Sequence, residues 1–343
     1  MKRILFAAGG TMGHIGPAIA VAEEVKRIAP DSIITFVGST SEVERALRID
    51  FPRYKIIKVP LPRRLGPTLF LFPFKLALAL LQSLPLVRRS DVVVGFGGYV
   101  ATPIYLAARI LGRPITLHEA NALPGFANRL GKALGATCFA NFESVGKAWS
   151  CEVIGMPLRQ EIIDLANEAH SLRRETRKVL VMGGSQGRMH INEVIWKSLP
   201  DLDPSLEIVH AVGNKNLGQL ENVSMRRGYQ PVGFIEDVAG AYREAALVIA
   251  RAGAVTCAEL RALRKRAILV PLGHGNGEQL VNAKALVDEG MAISVEDSKF
   301  TSEWLIAHIE EAFTLRPDDD AVQHLEATKI MALRILLRED APR

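Results

Sequence analysis

Two glycine-rich segments follow short apolar runs and could present backbone N–H groups to phosphate oxygens. Gly9-Gly10-Thr11-Met12-Gly13-His14 follows the run Ile4–Ala8, and Gly183-Gly184-Ser185-Gln186-Gly187 follows Val179–Met182. A glycine turn between a strand and a helix lets N–H groups approach phosphate, and the helix dipole favours the anion. Neither segment has the GxGxxG or GK[ST] spacing, which disfavours nicotinamide and ATP chemistry. The pair predicts phosphate-binding loops, although one such turn alone is often only a tight connection.

Polar side chains at the end of the first segment, and after a later strand, could move a proton. His14 ends the first glycine segment, and the near-neutral pKa of histidine suits it to accept a proton from an attacking hydroxyl. A structural, hydrogen-bonding histidine is the alternative. His118, Glu119 and Asn121 follow the run Ile115–Leu117, and ligands bind where parallel strands end. His14 is the predicted general base, and Glu119 is the competitor.

A third segment could hold a nucleotide. Arg251-Ala252-Gly253-Ala254-Val255-Thr256-Cys257-Ala258-Glu259 follows another apolar run. A carboxylate at this position can accept both hydroxyls of a ribose, so Glu259 is a candidate ribose ligand. The alternative is an exposed first-turn acid that the helix dipole favours.

The elements that must position these residues are predicted from short apolar runs that alternate with helical patterns. Such alternation is typical of βαβ units and parallel sheets. The predicted strands are Ile4–Ala8, Ile33–Val37, Ile56–Val59, Val92–Val94, Ile115–Leu117, Val179–Met182, Ile208–Val212, Leu247–Ala250 and Ala267–Val270. We therefore expect an α/β fold of two Rossmann-like domains that face a cleft, with a linker near residues 155–178.

The domain boundaries follow from the two series. We expect a first domain over residues 1–160 and a second domain over residues 161–325. Residues 326–343 are expected to form a terminal helix that packs back on the first domain.

Composition narrows the function classes. The 343 residues carry a formal net charge of +5, which indicates an anionic partner. Aromatic residues make up only 6% of the chain and do not alternate with basic ones, so a nucleic-acid partner is not expected. The three cysteines, Cys138, Cys151 and Cys257, lack metal-ligand spacing and favour a reducing compartment.

The most apolar stretch is Leu69–Val87. Pro73, Lys75, Gln82 and Pro85 interrupt it, so no membrane-spanning helix is expected. A crossover helix buried on the sheet is one interpretation. The other is an interfacial patch whose flanking cations, Arg63, Arg64, Arg88 and Arg89, would lie near anionic headgroups.

The motifs, in this order, resemble those of the MurG family of glycosyltransferases in peptidoglycan synthesis, which have the GT-B fold. The resemblance extends over nearly the whole chain. Its elements are the first glycine loop with Pro17-Ala18, Gly97-Gly98-Tyr99-Val100-Ala101-Thr102-Pro103, His118-Glu119-Ala120-Asn121, Gly155-Met156-Pro157-Leu158-Arg159, the Gly183–Gly187 loop, Arg251–Glu259, and Gln279 with Asn282-Ala283.

The resemblance implies an inverting transfer of N-acetylglucosamine from UDP to the C4 hydroxyl of a polyprenyl-pyrophosphoryl muramyl-pentapeptide, at the cytoplasmic face of the membrane, by a peripheral enzyme without a cofactor or bound metal. It also implies that residues 1–160 form the acceptor and membrane-associating domain and that residues 161–325 bind the nucleotide sugar. Catalysis would fall to His14 and Glu119. The implied donor-site residues are Thr11, Met12, Gly13, Asn121, Arg159, Ser185, Gln186, Ile235, Ala254, Val255, Thr256, Glu259 and Gln279. The implied acceptor-site residues are Gly10, Gly13, Gly97, Gly98 and Tyr99.

Two rival functions remain at this stage. One is another nucleotide-sugar enzyme, either a glycosyltransferase on a different lipid or a UDP-sugar epimerase. The other is a catalytically silent UDP-sugar-binding protein, which Met12 and Ala120 make conceivable because they depart from the family's motifs. An epimerase needs no acceptor, so omission of the muramyl lipid distinguishes it from the transferase.

Overall fold

A computed structural model describes residues 1–38, 51–57, 67–168, 176–183, 189–273, 277–317 and 324–337. The strands are β1 (Arg3–Ala7), β2 (Ile33–Gly38), β3 (Arg53–Lys55), β4 (Val92–Gly95), β5 (Ile115–Glu119), β6 (Thr137–Ala140), β7 (Glu152–Val153), β8 (Lys178–Met182), β9 (Glu207–Ala211), β10 (Tyr229–Val232), β11 (Leu247–Ala250), β12 (Arg266–Leu269) and β13 (Ala292–Ser294).

The helices alternate with these strands. They are α1 (Met12–Ile28), α2 (Pro67–Arg88), α3 (Ala101–Ile110), α4 (Phe126–Ala133), α5 (Glu143–Trp149), α6 (Gln160–Glu168), α7 (Met189–Ser198), α8 (Val238–Glu244), α9 (Ala254–Ala262), α10 (Glu278–Asp288), α11 (Ser302–Thr314) and α12 (Ala327–Leu337). Two short 3₁₀ helices cover Asn214–Asn222 and Asp297–Lys299.

The chain divides into two compact units, and each contains one parallel sheet. The first unit comprises Met1–Arg159 with His324–Arg343, and the second comprises Gln160–Gln323. The first sheet has the strand order β3-β2-β1-β4-β5-β6-β7, and the second has the order β10-β9-β8-β11-β12-β13. Every strand pair is parallel. The predicted α/β class with two Rossmann-like units is confirmed.

The order of the strands decides where each unit can bind a ligand. In both sheets the chain starts in the middle, builds outward to one edge, and then returns to build the other half. The reversal lies between β1 and β4 in the first sheet and between β8 and β11 in the second. Loops diverge at such a point and leave a crevice at the carboxyl ends of the strands.

Apolar side chains cover both faces of the first sheet, because parallel strands are buried between layers of helices. On one face Phe6 and Phe36 stack with ring centroids 5.1 Å apart, and α1 and α12 pack there. On the other face Tyr105 of α3 is fully buried. The terminal helix α12 therefore belongs to the core of the first unit.

Helix α2 covers the most apolar stretch of the chain. It is one helix from Pro67 to Arg88 that contains Pro73 and Pro85, so these prolines interrupt the apolar run but not the helix. Among the described residues, Leu71–Arg88 is long and apolar enough to cross a membrane, with a mean hydropathy of 1.3, yet only 17% of it is buried. The interpretation as a buried crossover helix is therefore wrong for most of its surface.

The other corrections concern short or polar segments. The third strand is Arg53–Lys55, upstream of the predicted Ile56–Val59, whose last two residues lie outside the described part. Residues 160–168 of the predicted linker form α6. The prediction omitted β6, β7, β10 and β13, which contain two to four residues each.

The cysteines are not equivalent. Cys138 and Cys151 form a disulfide with a Cα–Cα distance of 4.9 Å, which joins β6 to the residue before β7. Cys257 of α9 is free and buried. Disulfides persist mainly in oxidising compartments, so this pairing does not support the reducing compartment that cysteine usage predicts.

Candidate functional site

In the first unit, two glycine turns meet where the strand order reverses. Gly10, Gly97 and Gly98 have φ values of +99°, +88° and +78°, a backbone conformation that favours glycine. A Cβ atom added to Gly98 would lie 2.9 Å from the carbonyl oxygen of Gly9 and 3.4 Å from Nδ1 of His14. The absence of a side chain at Gly98 therefore allows the two turns to touch around His14.

His14 lies in the first turn of α1 and is half-buried. Its Nδ1 atom is 3.3 Å from the hydroxyl oxygen of Thr11. Burial lowers the pKa of the imidazole below its usual value, and a hydrogen bond to the Gly9 backbone opposes this shift. At neutral pH the ring is therefore uncharged, which is the form that can accept a proton.

Glu119 lies at the carboxyl end of β5 and is only 2% exposed. Its carboxylate accepts hydrogen bonds from the backbone N–H of Asn121 at 2.9 Å, the backbone N–H of Gly125 at 3.2 Å and Nδ2 of Asn128 at 3.0 Å. Burial raises the pKa of the carboxyl group, and these hydrogen bonds oppose the shift. The contacts favour a role in organising the loop after β5 over a role as the base.

His118 is fully buried beside Glu119. Its Nε2 atom donates to the Gly155 carbonyl at 2.7 Å, which leaves Nδ1 as the acceptor, without a hydrogen-bond partner among the described residues. Burial lowers the pKa of this imidazole to about 4. His118 thus stays neutral and ties the end of β5 to the segment after β7.

Asn128 and Tyr105, which belong to none of the sequence motifs, connect these loops. Asn128 of α4 is 2% exposed and donates to both the His118 carbonyl and the Glu119 carboxylate at 3.0 Å. Its Oδ1 atom accepts from the Tyr105 hydroxyl at 3.1 Å. A polar residue on the buried face of a short amphipathic helix is the sequence signal that could have identified Asn128.

The remaining predicted residues of the first unit lie at the same carboxyl edge or at its boundary. Tyr99 lies 3.4 Å from the position of a Cβ atom on Gly10. Thr11 is exposed, whereas Met12, Gly13, Asn121 and Arg159 are half-buried. Arg159 is the residue at which the chain leaves the first unit for the second.

In the second unit, α9 begins directly after β11, next to the reversal of strand order. Gly253 precedes the helix in an extended conformation. The first backbone N–H groups of a helix have no intrahelical acceptor, and the helix dipole adds positive potential there. Ala254, Val255 and Thr256 therefore present N–H groups at the carboxyl edge of the second sheet, as an anion site requires.

Two buried side chains support this helix start. Glu259 is 6% exposed and accepts a hydrogen bond from the Tyr242 hydroxyl at 3.0 Å, so the interpretation as an exposed first-turn acid is wrong. Asn282 of α10 is fully buried and donates to the Ala252 carbonyl at 3.2 Å. These contacts fix the backbone just before α9 and the direction of the Glu259 carboxylate.

Other predicted donor residues lie on loops of the same unit. Gln279 accepts a hydrogen bond from the Leu272 N–H at 3.0 Å, which ties the start of α10 to the loop after β12. Ile235 is half-buried and follows β10. Ser185 and Gln186 lie outside the described residues.

The two edges offer different chemistry. The first combines glycine turns with a neutral histidine that can accept a proton. The second combines a helix N-terminus with a buried carboxylate, a combination that suits a phosphate and a ribose. Proton acceptance and phosphate binding are both functions that a nucleotide-sugar transfer requires.

Family models support this assignment over most of the chain. Residues 4–137 match the glycosyltransferase family 28 N-terminal domain, and residues 178–332 match the glycosyltransferase family 28 C-terminal domain. A Corynebacterium glutamicum protein named UDP-N-acetylglucosamine--N-acetylmuramyl-(pentapeptide) pyrophosphoryl-undecaprenol N-acetylglucosamine transferase is 39% identical over 318 residues. The match covers 89% of this chain and 87% of that protein.

Solved structures agree with the fold. The crystal structure of Acinetobacter baumannii MurG superposes with a TM-score of 0.76 at 28% identity, over 98% of this chain and all of that one. The UDP-GlcNAc 2-epimerase of Methanocaldococcus jannaschii has a TM-score of 0.63 at 14% identity, over 98% of this chain and 99% of that one. The second likeness shows a shared fold alone.

Proposed function

Because the chain belongs to glycosyltransferase family 28, we propose that it transfers N-acetylglucosamine from UDP-N-acetylglucosamine to undecaprenyl-pyrophosphoryl-N-acetylmuramyl-pentapeptide. The acceptor's C4 oxygen forms a bond to the anomeric carbon, and the bond from that carbon to the UDP oxygen breaks. The hydroxyl proton passes to the enzyme, and UDP leaves with the bonding electrons. Attack opposite the leaving group inverts the α-linked donor to a β1,4 product.

The observation that carries this proposal is the convergence of two glycine turns on His14 at the point where the first sheet reverses its order. A Cβ atom at Gly98 would come within 3.4 Å of the His14 ring, so the side chain sits against a backbone surface. Its lowered pKa keeps it ready to accept the C4 hydroxyl proton. We assign that role to Nε2, since Nδ1 faces the Thr11 hydroxyl.

The acceptor diphosphate is assigned to the glycine turns of the first unit. Gly10, Gly13, Gly97, Gly98 and Tyr99 form this predicted subsite. Successive N–H groups in turns with positive φ can form a concave anion-binding surface. The positive φ values of Gly10 and Gly98 support that assignment, whereas the N–H of Gly97 already donates to the Tyr105 hydroxyl oxygen and shapes the turn.

The donor is assigned to the second unit. The N–H groups of Ala254, Val255 and Thr256 would bind the diphosphate, and Glu259 would accept the ribose hydroxyls. The hydrogen bond from Tyr242 orients the Glu259 carboxylate, to which we assign the ribose hydroxyls. The remaining predicted donor residues are Thr11, Met12, Gly13, Asn121, Arg159, Ser185, Gln186, Ile235 and Gln279.

Stabilisation of the leaving group follows from the same arrangement. Negative charge grows on the UDP diphosphate as its bond to the sugar breaks. Preorganised N–H donors lower the energy of that state, because they need no reorientation during the reaction. This role requires no protein-bound metal in our proposal.

We assign membrane contact to α2. Leu71, Phe74, Leu78 and Leu81 are exposed, and their spacing of three and four residues places them on one helical face. Arg88 ends the helix and Arg89 follows it. An apolar face with cations at its end suits peripheral binding to an anionic membrane surface, which we place on the cytoplasmic side.

The direct test is incubation of the purified chain with UDP-N-acetylglucosamine and a short-chain lipid-linked muramyl acceptor, followed by mass spectrometry. We expect a product heavier by one N-acetylhexosamine, together with UDP. A parallel reaction without the acceptor tests for epimerisation of the donor. Transfer to a lipid phosphate without a muramyl group, or donor binding without any product, would contradict the proposal.

A further inference from the structure

Asn128 forms hydrogen bonds to several residues around the predicted site of the first unit, although it belongs to none of the family's motifs. Its side chain is 2% exposed, and it makes three hydrogen bonds, to the His118 carbonyl, the Glu119 carboxylate and the Tyr105 hydroxyl. Only an amide supplies two donors and an acceptor in one plane at this size. A buried amide with this set of partners links β5, α3 and α4.

The link continues to the glycine turn beside His14. The Gly97 backbone hydrogen-bonds to the Tyr105 hydroxyl, which in turn donates to Oδ1 of Asn128. A Cβ atom at Gly97 would lie 3.3 Å from Nδ2 of Asn128, so the turn also packs directly on the amide. Gly98, the next residue, packs against the carbonyl of Gly9 and the ring of His14.

The same amide orients the loop after β5. Asn128 donates to Oε2 of Glu119, and that carboxylate accepts from the backbone N–H groups of Asn121 and Gly125. One amide thus connects two structures of the site, namely the Gly97–Gly98 turn and the loop from Ala120 to Gly125.

We propose that Asn128 is a positioning residue of the acceptor site, which sets the Gly97–Gly98 turn against His14 by joining Tyr105 to the Glu119 carboxylate. This inference rests on the proposed function, and it adds a residue through which the base and the acceptor turn are held. Asn128 itself does not touch the reacting atoms.

The decisive variant is Asn128→Asp, because it keeps the size and replaces the NH₂ donor with a second carboxylate oxygen. That oxygen would face Oε2 of Glu119 across the present 3.0 Å contact. Two carboxylates this close share one proton, so their joint pKa rises. The shared proton would restore the hydrogen bond to Glu119 at low pH, and its loss would break this bond at high pH. The bond to the His118 carbonyl would be absent at every pH and would not contribute to the pH response.

The other titratable groups around this amide do not produce the same response. Tyr105 has a raised pKa because it is buried, and it stays protonated throughout an assay from pH 5.5 to about 8.5. His118 and His14 have lowered pKa values because of burial, and a carboxylate at position 128 would raise both. A raised imidazole pKa lowers the relative activity of the variant at low pH, which is opposite to the loss at high pH expected from the carboxylate pair. A fall of the activity ratio with rising pH is therefore specific to the carboxylate pair.

We expect kcat of Asn128→Asp, relative to wild type, to fall about tenfold between pH 6 and pH 8, while the affinity for UDP stays unchanged. Tyr105→Phe removes the next hydrogen bond of the link, and we expect it to lower kcat severalfold without the pH response. A ratio that is constant with pH for Asn128→Asp would overturn the proposal.

Asn141→Asp is the matched control, since Asn141 is also a buried amide at the carboxyl edge and donates to the Ala120 carbonyl at 3.0 Å. It should cost stability without the pH response of kcat. Thermal unfolding is a second readout that needs no acceptor. A raised pKa in the folded state stabilises at low pH, so Asn128→Asp should lose melting temperature relative to wild type as pH rises.

These readouts separate the two proposals. If wild type does not transfer to the muramyl acceptor, the proposed function fails, and the pH-dependent unfolding still tests the carboxylate pair. If wild type transfers but Asn128→Asp and Asn141→Asp respond alike to pH, then Asn128 is only structural.

Discussion

The two parallel sheets reverse their strand order in the same way, but different groups hold the loops at the carboxyl ends of their strands. In the first unit, hydrogen bonds between buried side chains hold the loops together, with Asn128 linked to both Glu119 and Tyr105. In the second unit, the start of α9 presents backbone N–H groups, and Glu259 and Asn282 brace it.

The difference follows from the chemistry assigned to each edge. A diphosphate needs fixed dipoles, which a helix N-terminus supplies without any titratable group. A proton acceptor needs a side chain whose pKa and direction are controlled by its surroundings. If these assignments hold, one strand order supports both a nucleotide-binding edge and a proton-transfer edge, and the loops at the carboxyl ends of the strands decide which is formed.

The largest expected effect comes from removing the proton acceptor of the first edge. We expect His14→Ala to lower kcat by roughly a hundredfold to ten-thousandfold, the usual range for a general base, with unchanged UDP affinity. Steady-state kinetics and calorimetric titration of UDP measure the two effects. His308→Ala is the control, because His308 bonds to the Trp304 carbonyl in α11 and should leave both unchanged. Turnover of His14→Ala at the wild-type rate would remove His14 from the mechanism.

The pH dependence of kcat/KM is a second test of His14 as the proton acceptor. Burial lowers the pKa of His14, so the neutral base persists to a lower pH than for an exposed imidazole. We expect kcat/KM to be flat near pH 7 and to fall about tenfold per pH unit below an apparent pKa under 6.5. An acid limb with an apparent pKa above 6.5 would contradict this assignment.

Buried strands and glycine turns could be predicted from the sequence, whereas short polar strands could not. A continuous apolar run such as Leu247–Ala250 predicts a buried parallel strand on its own, without knowledge of the strands that pair with it. Arg53–Lys55 is a polar edge strand, and Tyr229–Val232 contains Pro231, so neither has that pattern. The motifs predicted the glycine turns of the first unit, because a positive φ favours glycine locally.

Contacts between distant residues could not be predicted in the same way. Asn128 is 23 residues from Tyr105 in the chain, and nothing in its local pattern specifies that contact. The Cys138–Cys151 disulfide likewise depends on the pairing of β6 with β7. Burial of Glu259 against Tyr242 was also inaccessible, since the same residue fits an exposed first turn.

A second comparison concerns covalent support, which differs between the units. The Cys138–Cys151 disulfide spans 13 residues of the first unit, whereas Cys257 of the second is free. Closing a loop of that length stabilises by about 3 kcal/mol in the chain-entropy account. We expect Cys138→Ser with Cys151→Ser to lower the protection of amides in the first unit, as hydrogen exchange resolved by peptide would show. Equal loss of protection in both units would contradict a local role.

Glu259→Gln tests the nucleotide side of the comparison at smaller amplitude. The amide can still accept from the Tyr242 hydroxyl, so we expect the fold to persist. Loss of the charged acceptor should weaken UDP binding about tenfold, because hydrogen bonds to charged groups contribute about 1.5–3 kcal/mol. Titration with UDP and with 2′-deoxy-UDP measures the effect. If wild type and variant discriminate equally between the two ligands, Glu259 does not bind the ribose 2′-hydroxyl.

The smallest expected effect on chemistry, and the one most specific to the first unit, comes from the exposed face of α2. Phe74 is 76% exposed and Leu78 is 46% exposed, so acidic residues there cost little stability. We expect Phe74→Glu with Leu78→Glu to lower binding to anionic vesicles by about tenfold, because each removes apolar contact and adds repulsion. Transfer to a water-soluble acceptor should stay at the wild-type rate. Met225→Glu, at a site 55% exposed in the second unit, is the control. Equal loss of vesicle binding in that control would show that net charge, and not the α2 face, governs attachment.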